Sequence, residues 1–168
     1  MEYNAVLEVK QVESSVTEPV TVQEAKDWMK VDLTDDDTLI EELITVARKQ
    51  VEGYLCISLV PKTITAILNN SQGGIELPYG PVASITSVKD EDDIAIEATE
   101  YLPQGEDYKT IKTPYDYLKV VYVTEANTEY KTGVLQQILY LYENRGDVNA
   151  GQLSPMVKMT LKPYRRVW

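Results

Sequence analysis

Between Leu39 and Leu55 the apolar residues return at helical spacing, and no other feature of the 168-residue chain constrains its fold as strongly. Leu39, Ile40, Leu43, Ile44, Ala47, Val51, Tyr54 and Leu55 share one stripe, with Glu41, Glu42, Arg48, Lys49 and Glu52 mostly opposite. The period predicts a core helix of about five turns, ending before Pro61. Such a helix is stable in water only when its apolar face finds partners. Asp35-Asp36-Asp37 stand at its start. Three carboxylates there suit amide capping and the positive end of the helix dipole better than a cation site.

The partners are legible elsewhere. Thr21-Val22-Gln23-Glu24 has the form of a capping box and predicts a short helix to about Lys30, with Val22, Ala25, Trp28 and Met29 on one face. A third helix is expected from Lys131 or Thr132, carrying Val134, Leu135, Ile138, Leu139, Leu141 and Tyr142, with Arg145 near its negative end and Gly146 beyond. After a connector, Asp147 to Leu153, Ser154-Pro155 is an N-cap followed by proline at the first helical position. A short fourth helix should run to about Leu161, where Pro163 stops it and leaves the tail Tyr164 to Trp168.

From Pro61 to about Asn127 the pattern changes to short β-prone runs broken by Gly73-Gly74, Gly80-Pro81, Asp90 to Asp93 and Gly105. The candidate strands are Thr63 to Leu68, Ile75 to Leu77, Ile85 to Lys89, Ile94 to Ala98, Tyr108 to Ile111 and Tyr117 to Val123. The last has apolar groups on both faces and should be central. Asp90-Glu91-Asp92-Asp93 lacks the glycine and spacing of a calcium loop and reads as a solvated hairpin turn. The fold class is therefore α+β: a small helical bundle of three main helices plus a short C-terminal helix, with an inserted antiparallel β module. One domain over 1–168 is expected. Its parts are an arm (1–20), helices 1 and 2 (21–60), the β insertion (61–127), helix 3 (131–146), and the closing helix and tail (154–168).

Composition narrows the function. The chain has no histidine and a single cysteine, Cys56, which excludes the usual zinc sites, Ser-His-Asp and Cys-His nucleophiles, and an internal disulfide framework. Cys56 reads as an inert core thiol. There is no GxGxxG, no Walker motif and no metal-ligand spacing. Carboxylates are abundant, but a catalytic pair needs one acid in an apolar setting. Only Glu52, within the stripe, comes near that, so no enzyme activity and no cofactor are expected. No apolar run approaches the roughly 20 residues of a membrane span, and Met1-Glu2-Tyr3 is unlike a signal peptide. A soluble protein, intracellular when made, is expected.

The net charge of −11 is unevenly spread. Residues 1–60 carry 13 acids and 5 bases, residues 61–130 carry 12 and 5, and residues 131–168 carry 2 and 6. An acidic body repels phosphate, while a terminus with Lys158, Lys162, Arg165 and Arg166 can meet an acidic surface or be an ordinary basic end. Eight of the twelve tyrosines lie between Tyr101 and Tyr142, and phenylalanine is absent. Tyrosine suits both interfaces and sheet packing. Trp168, ending a basic, proline-broken tail, reads as an interface anchor or as a ring folded back on its own domain.

Taken in order, Pro19-Val20-Thr21-Val22-Gln23-Glu24-Ala25-Lys26, Val31-Asp32, Asp35 to Ile40, Ala47-Arg48, Val51-Glu52-Gly53-Tyr54 and Leu59 resemble the first half of tailed-phage head-to-tail connector proteins, the adaptor or head-completion proteins. Leu141-Tyr142-Glu143-Asn144-Arg145 and Leu161-Lys162-Pro163-Tyr164-Arg165 are similar to the second half. The resemblance implies a structural virion protein at the head-tail junction, made in the bacterial cytoplasm. It would form a ring, typically twelve-fold, beneath the portal, extending the DNA channel and offering tail-side components a docking surface. Its partners would be the portal protein, a tail-side stopper or tail-completion protein, and further copies of itself; DNA would pass without specific binding. A C-terminal segment reaching into the portal would place Pro163, Tyr164, Arg165, Arg166 and Trp168 at that contact. A ring needs two different faces per subunit, and Glu41, Arg48, Glu52, Tyr142 and Arg145 are the candidate interface residues. The alternative is an acidic DNA mimic that inhibits a nucleic-acid-binding protein.

Overall fold

The computed structural model describes residues 5–13, 17–70, 74–145 and 152–166. The tip of the arm (Met1 to Asn4), residues 14–16, residues 71–73 with Gly73, Gly146, connector residues 147–151, Val167 and Trp168 lie outside the described residues. The chain divides into two compact units: a helical one from Thr17–Leu59 and Asn127–Val167, and a β unit from Val60–Ala126 with the N-terminal strand.

In the helical unit, α1 (Val22–Met29) starts on the expected capping box. The Thr21 hydroxyl accepts the Glu24 amide at 3.2 Å, and the Glu24 carboxylate accepts the Thr21 amide at 2.9 Å. The long helix α2 (Asp37–Leu55) ends on Cys56, which takes the left-handed conformation that stops a helix. Helix α3 spans Lys131–Glu143, and α4 spans Pro155–Leu161. The Ser154 hydroxyl accepts the Val157 amide at 3.1 Å and fixes the start of α4. Helices α1, α2 and α3 pack on one another, and α4 packs on α3. Their shared core is Ala25, Ile40, Ile44, Ala47, Val51, Leu55, Val134, Ile138, Leu141, Val157 and Leu161. Each fully buried valine, leucine or isoleucine here contributes roughly 1.5–3 kcal/mol.

Two local expectations change. Trp28 is 43% exposed, and Lys26 is buried in its place. The lysine stem lies along the bundle while its ammonium reaches Asp37 Oδ1 at 2.6 Å, so an amphipathic side chain takes an apolar position. The aspartates do not cap: Asp36 stands at the N-cap position without a side-chain cap bond. The Asp36 carboxylate is taken instead by Tyr142, 106 residues away in sequence, and that of Asp37 by Lys26, 11 residues away. Helix α4 ends at Leu161 as expected, and a 3₁₀ turn follows it through Lys162–Tyr164.

The β unit holds a four-stranded antiparallel sheet in the order β1-β2-β7-β4, from Ala5–Glu13, Lys62–Asn69, Tyr117–Thr124 and Val82–Lys89. A small second sheet has the order β3-β6-β5, from Ile75–Glu76, Thr110–Lys112 and Leu102–Gln104. Strand β7 lies between β2 and β4, as its two-sided apolar pattern requires. Ile64, Ala66 and Leu68 of β2 and Leu118, Val120 and Tyr122 of β7 form the inner face, packed with Ile75, Leu77, Val82, Val88, Ile96 and Ile111.

The arm over residues 1–20 is not simply extended chain, because its residues 5–13 form strand β1. A bulge between Val6 and Glu8 puts two residues against one and breaks the alternation that would have announced a strand. Ile94 to Ala98 is not a strand: only Ala95 bridges to Lys89. The Asp90 carboxylate accepts the Asp92 and Ile94 amides, which folds the acidic turn on itself. The short, exposed β5 contains Pro103 and could be placed only by its partner strand. Gly105, between β5 and β6, has φ +100°, and a Cβ there would fall 2.2 Å from the Tyr108 carbonyl oxygen. That turn requires glycine.

Candidate assembly surfaces

Arg48 is fully buried in the helical unit, one turn from Ile44 and one from Glu52. Its Nε donates to Glu18 Oε2 at 2.7 Å, and its Nη1 donates to Glu52 Oε2 at 2.9 Å. The other Glu18 oxygen accepts the Thr45 hydroxyl at 2.8 Å, and the other Glu52 oxygen accepts the Leu59 amide at 2.7 Å. The cluster therefore ties the chain before α1, the middle of α2 and the segment after α2 into one satisfied network. Arg48 and Glu52, expected to point away from the core, are internal and offer no surface to a neighbouring molecule. Glu52 does not act as an isolated acid in an apolar pocket, because both its oxygens are bonded.

Tyr142 and Arg145 converge on Asp36. The Tyr142 hydroxyl donates to Asp36 Oδ2 at 2.5 Å, and Arg145 Nη1 lies 3.3 Å from the same oxygen. The Arg145 guanidinium also stacks over the Tyr142 ring at 4.2 Å. The Tyr142 hydrogen bond, helped by Arg145, holds the Asp36 carboxyl below its usual range, and the same bond raises the Tyr142 phenol. This cluster joins the start of α2 to the end of α3. Glu41 sits apart on the exposed side of α2.

At the other end of α3, Lys131 Nζ meets Glu24 Oε1 at 2.5 Å. The Lys131 ammonium first, and then the Thr21 amide and hydroxyl, lower the Glu24 carboxyl from 4.5 to about 2. The folded-state value lies below the unfolded one, so this contribution is present above about pH 4.5 and is lost as pH falls toward 2. Thermal melts across that window should show stability declining on acidification, and Glu24→Gln should flatten the decline. An unchanged slope in the variant would assign the acid sensitivity to other carboxylates.

The closing segment is moored to its own unit as far as it is described. Tyr164 meets Tyr130 edge-to-face with ring centroids 5.6 Å apart, Arg165 lies over the Tyr54 ring at 5.4 Å, and the Arg166 amide donates to the Leu55 carbonyl at 3.0 Å. Pro163, Tyr164 and Arg165 remain exposed, whereas Arg166 is half-buried. Trp168 lies outside the described residues.

The tyrosines divide by role. Tyr122 is fully buried, its hydroxyl donating to the Pro78 carbonyl, and burial raises its phenol. Tyr79, Tyr101 and Tyr115 pack against the β core. These rings serve the sheet. The sequence missed where apolar side chains are outside: Leu33 in the α1–α2 loop is 72% exposed, and Met156 and Met159 on α4 are 65% and 74% exposed. For α4 the signal is readable, since Val157 and Leu161 take its inner face and Met156 and Met159 then fall opposite. No group of side chains that could hold a metal ion occurs among the described residues, and none of their helices is long and apolar enough to cross a membrane.

A family model described as phage gp6-like head-tail connector protein matches residues 19–154. No curated protein matches the chain. Among solved structures, a chain from the neck of an empty gene transfer agent particle, computed with C6 symmetry, has a TM-score of 0.69 at 16% identity, covering 95% of this chain and 96% of its own. A chain from the virion of the native gene transfer agent particle also has a TM-score of 0.69 at 16% identity, covering 94% and 96%.

Proposed function

The chain belongs to the phage gp6-like head-tail connector family, and from that premise we propose that it assembles as a ring beneath the portal, residues 1–168 acting as one subunit. It is a structural virion protein of the head-tail junction and works by assembly rather than catalysis. The observation that carries the ring reading is that one family model spans 19–154 and that the fold of a neck chain is shared over 95% of the molecule. Twelve copies are compatible with the six-fold symmetry under which that neck was computed.

In this reading the ring extends the DNA channel, the portal binds one side, and a tail-side stopper or completion protein binds the other. The surplus of acids over residues 1–130 supports passage of DNA without retention, because like charge keeps phosphates from settling on a wall. Tyr164 and Arg165, exposed beyond α4, with Pro163, Arg166 and Trp168, supply the portal contact. Glu41 and the Tyr142–Arg145 cluster remain available to a neighbouring subunit, while Arg48 and Glu52 act by holding the shape of the unit. Family membership replaces the DNA-mimic alternative, which would use the acidic surface alone.

The test is electron microscopy of the purified chain mixed with isolated portal. Closed rings seated on one end of the portal are expected. A chain that stays monomeric and never docks contradicts the reading. Removing Pro163 to Trp168 should abolish docking while circular dichroism still reports helices and sheet, and normal docking of the truncated chain would exclude the tail as the portal contact.

A further inference from the structure

Two exposed apolar surfaces of the helical unit carry opposite charge. The first is the α1–α2 corner: Trp28 and Leu33 are exposed, and Asp27, Asp32 and Asp35 stand around them in water. Asp32 and Asp35 make no hydrogen bond or ion pair through their side chains among the described residues. Beside Trp28 a groove of about 510 Å³ opens, with Asp27, Lys30 and Leu135 in its wall and the Glu24–Lys131 pair at its edge, so that Asp27, Asp32 and Asp35 outnumber the one exposed lysine of the corner. The second is the outer face of α4, where Met156 and Met159 are flanked by the exposed Lys158 and Lys162. The side chains of these lysines likewise have no partner among the described residues.

The exposed parts of these side chains contribute nothing to the core of the monomer, and apolar groups left outside and rimmed by charge mark a contact surface. We propose that these two surfaces are the two halves of one contact, the Met156/Met159 face of α4 in one copy seating on the Trp28/Leu33 corner of the next. Three features select a second copy as the occupant. The charges complement: Lys158 and Lys162 meet Asp32, Asp35 and Asp27. The apolar groups match, since a thioether packs favourably against an indole edge and the groove beside Trp28 receives a flexible side chain. The surfaces are different patches of one molecule, which is what a head-to-tail contact requires for closure into a ring. The proposal rests on the ring reading and names the faces through which the ring closes.

The experiment uses capsid particles carrying the full-length chain with Cys56→Ser, Leu33→Cys and Met159→Cys. Mild oxidation should link copy to copy, giving a ladder of covalent oligomers in denaturing gels, while either single cysteine stops at a dimer or a monomer. Lys158→Glu with Lys162→Glu should lower particle-bound copies at least tenfold, and adding Asp32→Lys with Asp35→Lys should restore them. Rings visible by microscopy without a ladder would leave the ring reading standing and overturn this interface. A Met159→Cys link to portal instead of a second copy would also overturn it, and particles with no ring at all would remove both readings.

Discussion

Replacing Arg48 with alanine is expected to cost about 3–5 kcal/mol, as much as truncating a buried isoleucine or leucine of the same unit. The guanidinium is fully buried between the carboxylates of Glu18 and Glu52. Without it, two acids that are themselves mostly or wholly buried face each other uncompensated, and each must be protonated or rehydrated. For a chain of this length that loss corresponds to a melting temperature lower by roughly 6–20 °C. The loss should come from stranded charge more than from missing attraction. Arg48→Met combined with Glu18→Gln and Glu52→Gln should therefore recover much of it, because neutral groups of similar volume remain. A single variant that melts within a degree or two of the parent would show that water relieves the two carboxylates and that the network carries little weight.

The same residue shows how far the sequence could be read. The Leu39 to Leu55 stripe gave the helix, its length and its need for partners, because period and burial follow the same geometry. It misplaced Arg48 and Glu52, since residue type argued for the solvent side while their positions, one turn on from Ile44 and next to Val51, put them inside. Buried charge is legible only through its partners, and Glu18 lies 30 residues away in sequence. Local signals succeeded: the Thr21 box, the Ser154-Pro155 start and the alternation of Lys62–Asn69 and Tyr117–Thr124 are decided within a few residues. The strand Ala5–Glu13 failed because its bulge erased the alternation, and the three aspartates failed as caps because distant cations and a phenol claimed Asp36 and Asp37. Of the candidate portal-contact residues, Pro163, Tyr164 and Arg165 are exposed and Arg166 is half-buried. The outward turn of Met156 and Met159 follows from the i,i+4 pair Val157 and Leu161 on the inner face of α4, a signal the sequence carried and the reading passed over.

Gly133 couples packing to assembly, and Gly133→Leu should separate the two. It is buried on α3, and even a Cβ there would lie 3.0–3.3 Å from the Leu161 side chain of α4. Alanine should be nearly neutral, its tight contact with a flexible leucine offset by roughly 1 kcal/mol of helix propensity over glycine. A leucine has nowhere to go without displacing Leu161, which overpacks the α3–α4 contact at a cost of about 1–3 kcal/mol. The α1–α2–α3 core does not depend on that contact, so the unit should stay folded while α4 and the segment after it shift. Because those elements carry the proposed contacts to the portal and to the next copy, incorporation into particles should fall at least about tenfold, equivalent to 1.4 kcal/mol. Counting particle-bound chain by quantitative gel, beside the melting curve of the free protein, reads both effects. Full incorporation of a stably folded Gly133→Leu variant would show that the position of α4 is irrelevant to assembly.

The most direct measurement is a cryo-electron reconstruction of the neck of the particle that contains this chain, compared with particles from a host in which its gene is deleted. The expected result is a closed ring of this α+β fold directly beneath the portal in the first, and filled heads without attached tails in the second. A neck in which portal and tail components meet with no density for this fold, or tailed particles formed at normal yield without the chain, would contradict its role as the connector.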